Sequence, residues 1–311
     1  MFSIRLTFSI IMKQISIVSL LICFLYPFSS FGQKTKIQAK VMFKESLNPV
    51  QFANVFIKNS GVGTFTNESG QFNIEVDNTD TLVISSVQAS SAILVYPFEI
   101  DTILLEEKIA SLNEVDITSE KMKYKTVSVG FFNSKRSGSY AGANSVLLYL
   151  DPLHLDSEAI IETALLRLNK VKWIYDKSER EFFQLLVRLK LYNANSKLEP
   201  GTSILNQDLV QLVDENQEKI VFDLKEFNIQ FPKNGIFLGL EYIGYYKEDK
   251  FIPFRTDDKM KIIQYKAAFS NKHKEPKSWV KHNHEDSWKL LDFGGNQYYN
   301  FNFGLELSIP K

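Results

Sequence analysis

The residues best placed by type to do chemistry lie near the C-terminus, in Lys281-His282-Asn283-His284-Glu285-Asp286. His282 and Glu285 stand at a His-x-x-Glu spacing that can supply two zinc ligands. A catalytic zinc site needs a third protein ligand and an open position. Only 25 residues follow Asp286 and none is a histidine, so a hydrolase built on this pair fails on ligand count. His282 and His284 would share one face of a strand, and His273 is the third imidazole that could join them on a borderline metal. The plainer reading of this stretch is a polar loop between Trp279 and Trp288. The remaining histidine, His154, sits in Asp151-Pro152-Leu153-His154-Leu155-Asp156, which reads as a turn.

Other catalytic signatures are missing. The nucleophile elbow Gly-x-Ser-x-Gly, the phosphate loop Gly-x-x-x-x-Gly-Lys-[Ser/Thr] and the dinucleotide fingerprint Gly-x-Gly-x-x-Gly do not occur. Nothing marks out two of the 36 acidic residues as a glycosidase pair. No cofactor is expected, and calcium held by loop carboxylates and carbonyls is the metal such a chain could carry. Aromatic residues near turns offer a different chemistry. Trp279, Trp288 and Tyr298 could form a ring platform for a carbohydrate or peptide, although rings are also ordinary core and rim residues of β-sandwiches.

The elements that would position these groups begin after an apolar leader. Lys13 precedes Ile15, Ile17, Val18 and Leu20 to Leu25, and Ser29-Ser30-Phe31-Gly32 ends the run. That order is a secretory signal peptide, residues 1–32, with cleavage expected after Gly32. The alternative is an uncleaved anchor, disfavoured because the apolar run is short and Pro27 interrupts it. Cleavage would remove Cys23, the only cysteine, and two of the 36 basic residues, Arg5 and Lys13, leaving 34 against 36 acidic ones. A mature chain of that kind has no internal disulfide and no thiolate metal site. Its charge balance gives no electrostatic basis for binding nucleic acid.

Beyond the leader the chain reads as all-β. Of its residues 13% are aromatic, with 25 Phe and 13 Tyr, types that suit a pleated, half-buried surface. In residues 33–110, Ile37, Ala39, Val41 and Phe43 alternate with polar neighbours, as do Phe72, Ile74 and Val76. Between them lie the turns Asn59-Ser60-Gly61-Val62-Gly63 and Asn67-Glu68-Ser69-Gly70. Strands this short between turns this frequent predict a small sandwich.

Ala53-Asn54-Val55-Phe56-Ile57 and Gly61-Val62-Gly63-Thr64-Phe65-Thr66-Asn67-Glu68-Ser69-Gly70-Gln71-Phe72-Asn73-Ile74 carry a resemblance. Residues 37–105 resemble the carboxypeptidase-like regulatory domain of exported Bacteroidota proteins, which implies a transthyretin-like seven-stranded sandwich with no catalytic residues of its own. The usual pattern has Asp near Asn67 and Gly-Tyr where this chain has Gln88-Ala89. Leu112 to Thr118 resembles the short extension that follows such domains.

Residues 111–124 read as a linker, and 125–311 as a second, larger sandwich. Phe183, Leu185, Val187, Leu189 and Leu191 alternate with Gln184, Leu186, Arg188, Lys190 and Tyr192, a strand period. Ile160 to Leu168 is a strand or a short helix. Pro200-Gly201 and Pro232 to Gly235 read as turns, and Tyr299 to Ile309 as one long strand with a single apolar face. The order of these pieces resembles jelly-roll modules of the galactose-binding type.

Together these features predict a non-catalytic binding or scaffold protein of the cell envelope, exported to the periplasm, the outer-membrane periphery or the medium. The expected partner is an envelope protein or a polysaccharide, and the oligomeric state is left open. The alternative is an envelope hydrolase using carboxylates or a loop metal.

Overall fold

A computed structural model describes residues 34–96, 101–108, 123–130, 137–140, 143–151, 159–168, 184–214, 217–255, 265–269, 275–282, 287–291 and 299–311. The fold is all-β, with a small N-terminal sandwich and a larger sandwich after it.

Alternating apolar residues and short turns make the first seven strands. They are β1 (Thr35–Phe43), β2 (Asn54–Ile57), β3 (Gly63–Phe65), β4 (Gln71–Val76), β5 (Thr81–Ser86), β6 (Ala89–Val95) and β7 (Thr102–Leu105). One sheet has the order β4-β1-β7 and the other β3-β2-β5-β6. Among the described residues only the β1–β7 pairing is parallel. The inward residues Val41, Val55, Phe72, Ile74, Leu82, Ile84 and Leu105 fill the space between the sheets. The turn before β4 shows why Asn67 serves in place of the usual Asp. Its Oδ1 accepts hydrogen bonds from the amides of Ser69 (3.0 Å) and Gln71 (2.9 Å), acceptor geometry that a side-chain amide oxygen supplies as a carboxylate oxygen would. Gly70 follows at φ 74°, and a Cβ there would lie 2.4 Å from the Val41 carbonyl oxygen, so only glycine fits.

The larger sandwich contains β8 (Tyr124–Gly130), β9 (Ser137–Tyr140), β10 (Ser145–Leu150), β11 (Ile160–Arg167), β12 (Gln184–Ala194) and β13 (Pro200–Ser203). Next come β14 (Val210–Asp214), β15 (Lys219–Asp223), β16 (Ile229–Gln230), β17 (Ile236–Lys247) and β18 (Lys250–Pro253). The last are β19 (Tyr265–Phe269), β20 (Ser278–Lys281), β21 (Lys289–Leu290), β22 (Tyr299–Phe301) and β23 (Phe303–Pro310).

An eight-stranded sheet runs β13-β12-β17-β10-β20-β21, with β14 on β12 and β18 on β17. A five-stranded sheet, β15-β11-β23-β8 with β16 on β11, faces it, and β22-β19-β9 forms a third. The core between the two large sheets takes Val146, Leu148, Val187, Leu189, Leu238 and Leu240 from the first, and Ile161, Leu166, Ile220, Leu305 and Leu307 from the second.

Three local expectations are refined. Ile160–Arg167 is a strand, with a register shift between Ile161 and Thr163, because β15 and β23 flank it and its apolar residues fill the core. Pro200-Gly201 opens β13 instead of making a turn, since Pro is tolerated as the first residue of an edge strand. The turn lies just before it, where Asn195 Oδ1 accepts from the amides of Lys197 (2.8 Å) and Glu199 (2.9 Å). The C-terminal strand is broken at Asn302 into β22 and β23. Asn300 and Asn302, expected on a wet face, are buried. Asn300 Oδ1 accepts from the Lys277 amide (2.8 Å) and from Ser278 Oγ (3.1 Å).

Candidate functional site

The outer face of the eight-stranded sheet, turned away from the sandwich core, carries the unusual residues. Its register aligns one row across four strands. Lys281 on β20 lies opposite Ser145 on β10, Ser145 opposite Glu241 on β17, and Glu241 opposite Arg188 on β12. The period of two that sends Val187, Leu189 and Leu191 inward sends Arg188, Lys190 and Tyr192 outward.

Arg188 and Glu241 are nevertheless 3% and 7% exposed, so these charges must satisfy one another. Arg188 Nη1 donates to Glu241 Oε2 at 2.7 Å, and Lys190 Nζ stands 2.8 Å from the same oxygen. Ser145 Oγ donates to Glu241 Oε1 at 3.3 Å. Arg188 Nε is 3.0 Å from Asp208 Oδ1, an ion pair whose alignment falls short of a hydrogen bond. Two cations and two anions meet here, and the charge of Lys281 adds a further, smaller pull on Glu241.

Burial by itself pushes the Glu241 carboxyl up, but the charges of Lys190 and then Arg188 outweigh it and bring it down to about 2. Burial lowers the Arg188 and Lys190 pKa values, yet their anionic neighbours hold both above the ordinary range. A carboxylate that stays ionised and has its oxygens occupied is a poor general acid or base at neutral pH. The cluster is structural.

To one side of this row, along β12 and β17, the N-terminal sandwich closes over the sheet. Phe52 and Phe65 pack with Leu186 and Ile243, flanked by Tyr246, Phe251 and Phe254. The Phe52 and Phe251 rings meet edge to face at 5.4 Å. Arg188 Nη2 donates to the Phe52 carbonyl oxygen at 2.5 Å. Arg255 Nη1 donates to Asn73 Oδ1 at 3.1 Å across the same junction.

On the opposite side of the row lies an aromatic patch. Leu147, Tyr149, Ala194 and Phe237 are its buried floor, with Tyr192, Trp279 and Trp288 half-buried above it. Trp279 meets Phe237 edge to face at 5.9 Å, and Tyr192 meets Trp288 at 6.0 Å. Lys281 Nζ lies 5.9 Å from the Trp288 ring centre, and Lys277 Nζ lies 5.9 Å from that of Tyr149. Lys277 is also paired with Asp151.

Of the residues singled out by type, Trp279 and Trp288 come together here, nine positions apart in the chain. Tyr298, His273 and His284 lie outside the described residues, as does His154. His282 shares the parity of the inward Val280 rather than of Trp279, and its Nε2 is 3.3 Å from Tyr140 Oη. Among the described residues no group of three or more His, Cys, Asp or Glu side chains could hold a metal ion. Type and spacing had not singled out Arg188, Lys190, Asp208, Glu241 and Tyr192 as a site. A signal for the first two and Glu241 was present, since charges inside the apolar runs Val187 to Leu191 and Leu238 to Ile243 are rarely buried without partners.

The described residues thus form a two-layer N-terminal β-sandwich followed by a larger β-sandwich. Residues 37–117 match the family model of the CarboxypepD_reg-like domain. The match covers about a quarter of the chain and ends before the larger sandwich begins. No curated protein matches the chain.

Proposed function

We propose that this is a non-catalytic binding or scaffold protein of the bacterial cell envelope, and that its ligand-facing surface is the aromatic patch on the outer face of the eight-stranded sheet. The ligand class is a polysaccharide. Trp279, Trp288 and Tyr192 offer ring faces and edges to sugar C–H groups, and Lys281 beside Trp288 offers a donor to hydroxyls or carboxylates.

The observation that carries this reading is the convergence of two tryptophans and a tyrosine from β20, the β21 approach and β12 on one half-exposed face. The regulatory-type domain supports it, because such a domain brings no catalytic group of its own. Placement in the envelope rests on the leader before Gln33, and an exported protein of Bacteroidota type fits that leader and that domain. The larger sandwich is read as jelly-roll-like on the pairing of its first strand, β8, with its last, β23.

The test is titration of the mature chain with a panel of purified envelope and capsular polysaccharides by calorimetry, with Trp279→Ala and Trp288→Ala beside it. A polysaccharide that binds, and binds each variant about tenfold or more weakly, supports the reading. Binding unchanged in both variants, or no binding across the panel, refutes it.

A further inference from the structure

The junction between the two sandwiches is built from features that make sense only when both are present. Phe52 has φ 53°, in the left-handed region that a bulky residue occupies at a cost. Its neighbours hold it there. The fully buried Thr66 donates from Oγ1 to the Val50 carbonyl at 2.7 Å and accepts from the Ala53 amide at 2.8 Å, bracketing Phe52 on both sides. The result aims one ring and one carbonyl outward from the small sandwich. Phe52 is 7% exposed, its ring covered by Phe251 and the apolar cluster of Leu186 and Ile243. The carbonyl takes Nη2 of Arg188.

Arg188 is the complementary half. Its side chain is 4% exposed, and its guanidinium is directed at once to Asp208, Glu241 and the Phe52 carbonyl. Phe65, on the same small sandwich, is fully buried in the shared cluster. Were the small sandwich removed, the larger one would present an apolar groove and an open arginine N–H. The small sandwich would present Phe52 and Phe65 to water.

We propose that the groove formed by Leu186, Ile243, Phe251 and Arg188 is a recognition site for the Phe52 loop, and that this contact, not the covalent connection, holds the two sandwiches in one fixed arrangement. The partner is specified by chemistry: a β-sandwich that presents an aromatic ring next to a backbone carbonyl in a left-handed turn. The small sandwich is then a docked part of the scaffold rather than a freely tethered module. This stands whether or not the aromatic patch binds a polysaccharide.

The test places a site-specific protease sequence between residues 109 and 122 and nicks the folded chain. The two pieces are expected to co-elute on gel filtration at micromolar concentration in 0.5 M salt. Phe52→Ala or Arg188→Met in the nicked chain should weaken association by about 30-fold or more, as for an interface hot spot. Two folded fragments that separate without any substitution overturn the proposal, as does a nicked Phe52→Ala chain that associates as tightly as the parent. A second measurement covers a nicked chain that loses its fold. Spin labels on Glu75→Cys and Lys250→Cys, both exposed, in an un-nicked Cys23→Ser background should give one narrow distance distribution. A broad distribution, typical of a flexible tether, overturns the proposal.

Discussion

Replacing Glu241 by Gln tests the electrostatic account of the outer sheet face most directly. The substitution keeps the shape and one acceptor oxygen but removes the charge that Arg188 and Lys190 share. Breaking a buried pair by removing one partner costs about 3–5 kcal/mol, so the variant should be less stable than the parent by that order at pH 7. The pH dependence makes the attribution specific. The Glu241 pKa is lowered from 4.5 to about 2, so its contribution is fully present above the unfolded value and is lost as pH falls through the folded one. At about 1.4 kcal/mol for each pKa unit, the whole contribution is about 3 kcal/mol. Roughly 2 kcal/mol of it should disappear between pH 7 and pH 3. Urea unfolding followed by tryptophan fluorescence at pH 7, 5, 4 and 3 gives both stabilities. Other carboxylates titrate in parent and variant alike, so their difference isolates this group. The gap should narrow by about 2 kcal/mol from pH 7 to pH 3. A gap that stays constant over that range would show that Glu241 is not held ionised by its neighbours, and the account of the cluster would fall.

Further expectations concern packing. A Cβ at Gly239 would lie 1.8 Å from the Val146 carbonyl oxygen, a backbone atom that cannot move aside. Gly239→Ala should therefore cost about 3 kcal/mol or more, read as a fall in thermal midpoint or as loss of soluble protein. Leu307→Ala empties a fully buried position in the large core and should cost about 2–5 kcal/mol in urea unfolding. Thr66→Val leaves the Ala53 amide and the Val50 carbonyl without their side-chain partner. That should cost about 1–3 kcal/mol and, if the docking proposal holds, also broaden the spin-label distances across the junction.

The alternation of Leu185, Val187, Leu189 and Leu191 was enough to place β12 as a strand and to assign its core face. The opposite face was only partly legible. Polar spacing marks Arg188 and Lys190 as outward, and outward ordinarily means wet. Here the small sandwich covers that face at one end, and the network of Glu241 and Asp208 draws the charges into the sheet. Glu241 lies 53 positions from Arg188 and Phe52 lies 136 positions away, so no local pattern could pair them. The tryptophans illustrate the same limit. Their types and nearby turns made Trp279 and Trp288 candidates, but Tyr192 joins them only because β12, β17, β10 and β20 are neighbours in the sheet.

The amino-acid order by itself determined what depends on near neighbours: the β class, the turns at Asn67 to Gly70 and Pro232 to Gly235, and the small sandwich. Side-chain parity and backbone freedom act over a few residues, and they leave a readable mark. Tertiary structure alone decided which charges neutralise each other, which face is covered and where Phe52 docks. Those outcomes depend on strand order and on burial, and the dielectric and steric environment they create exists only once distant segments have met.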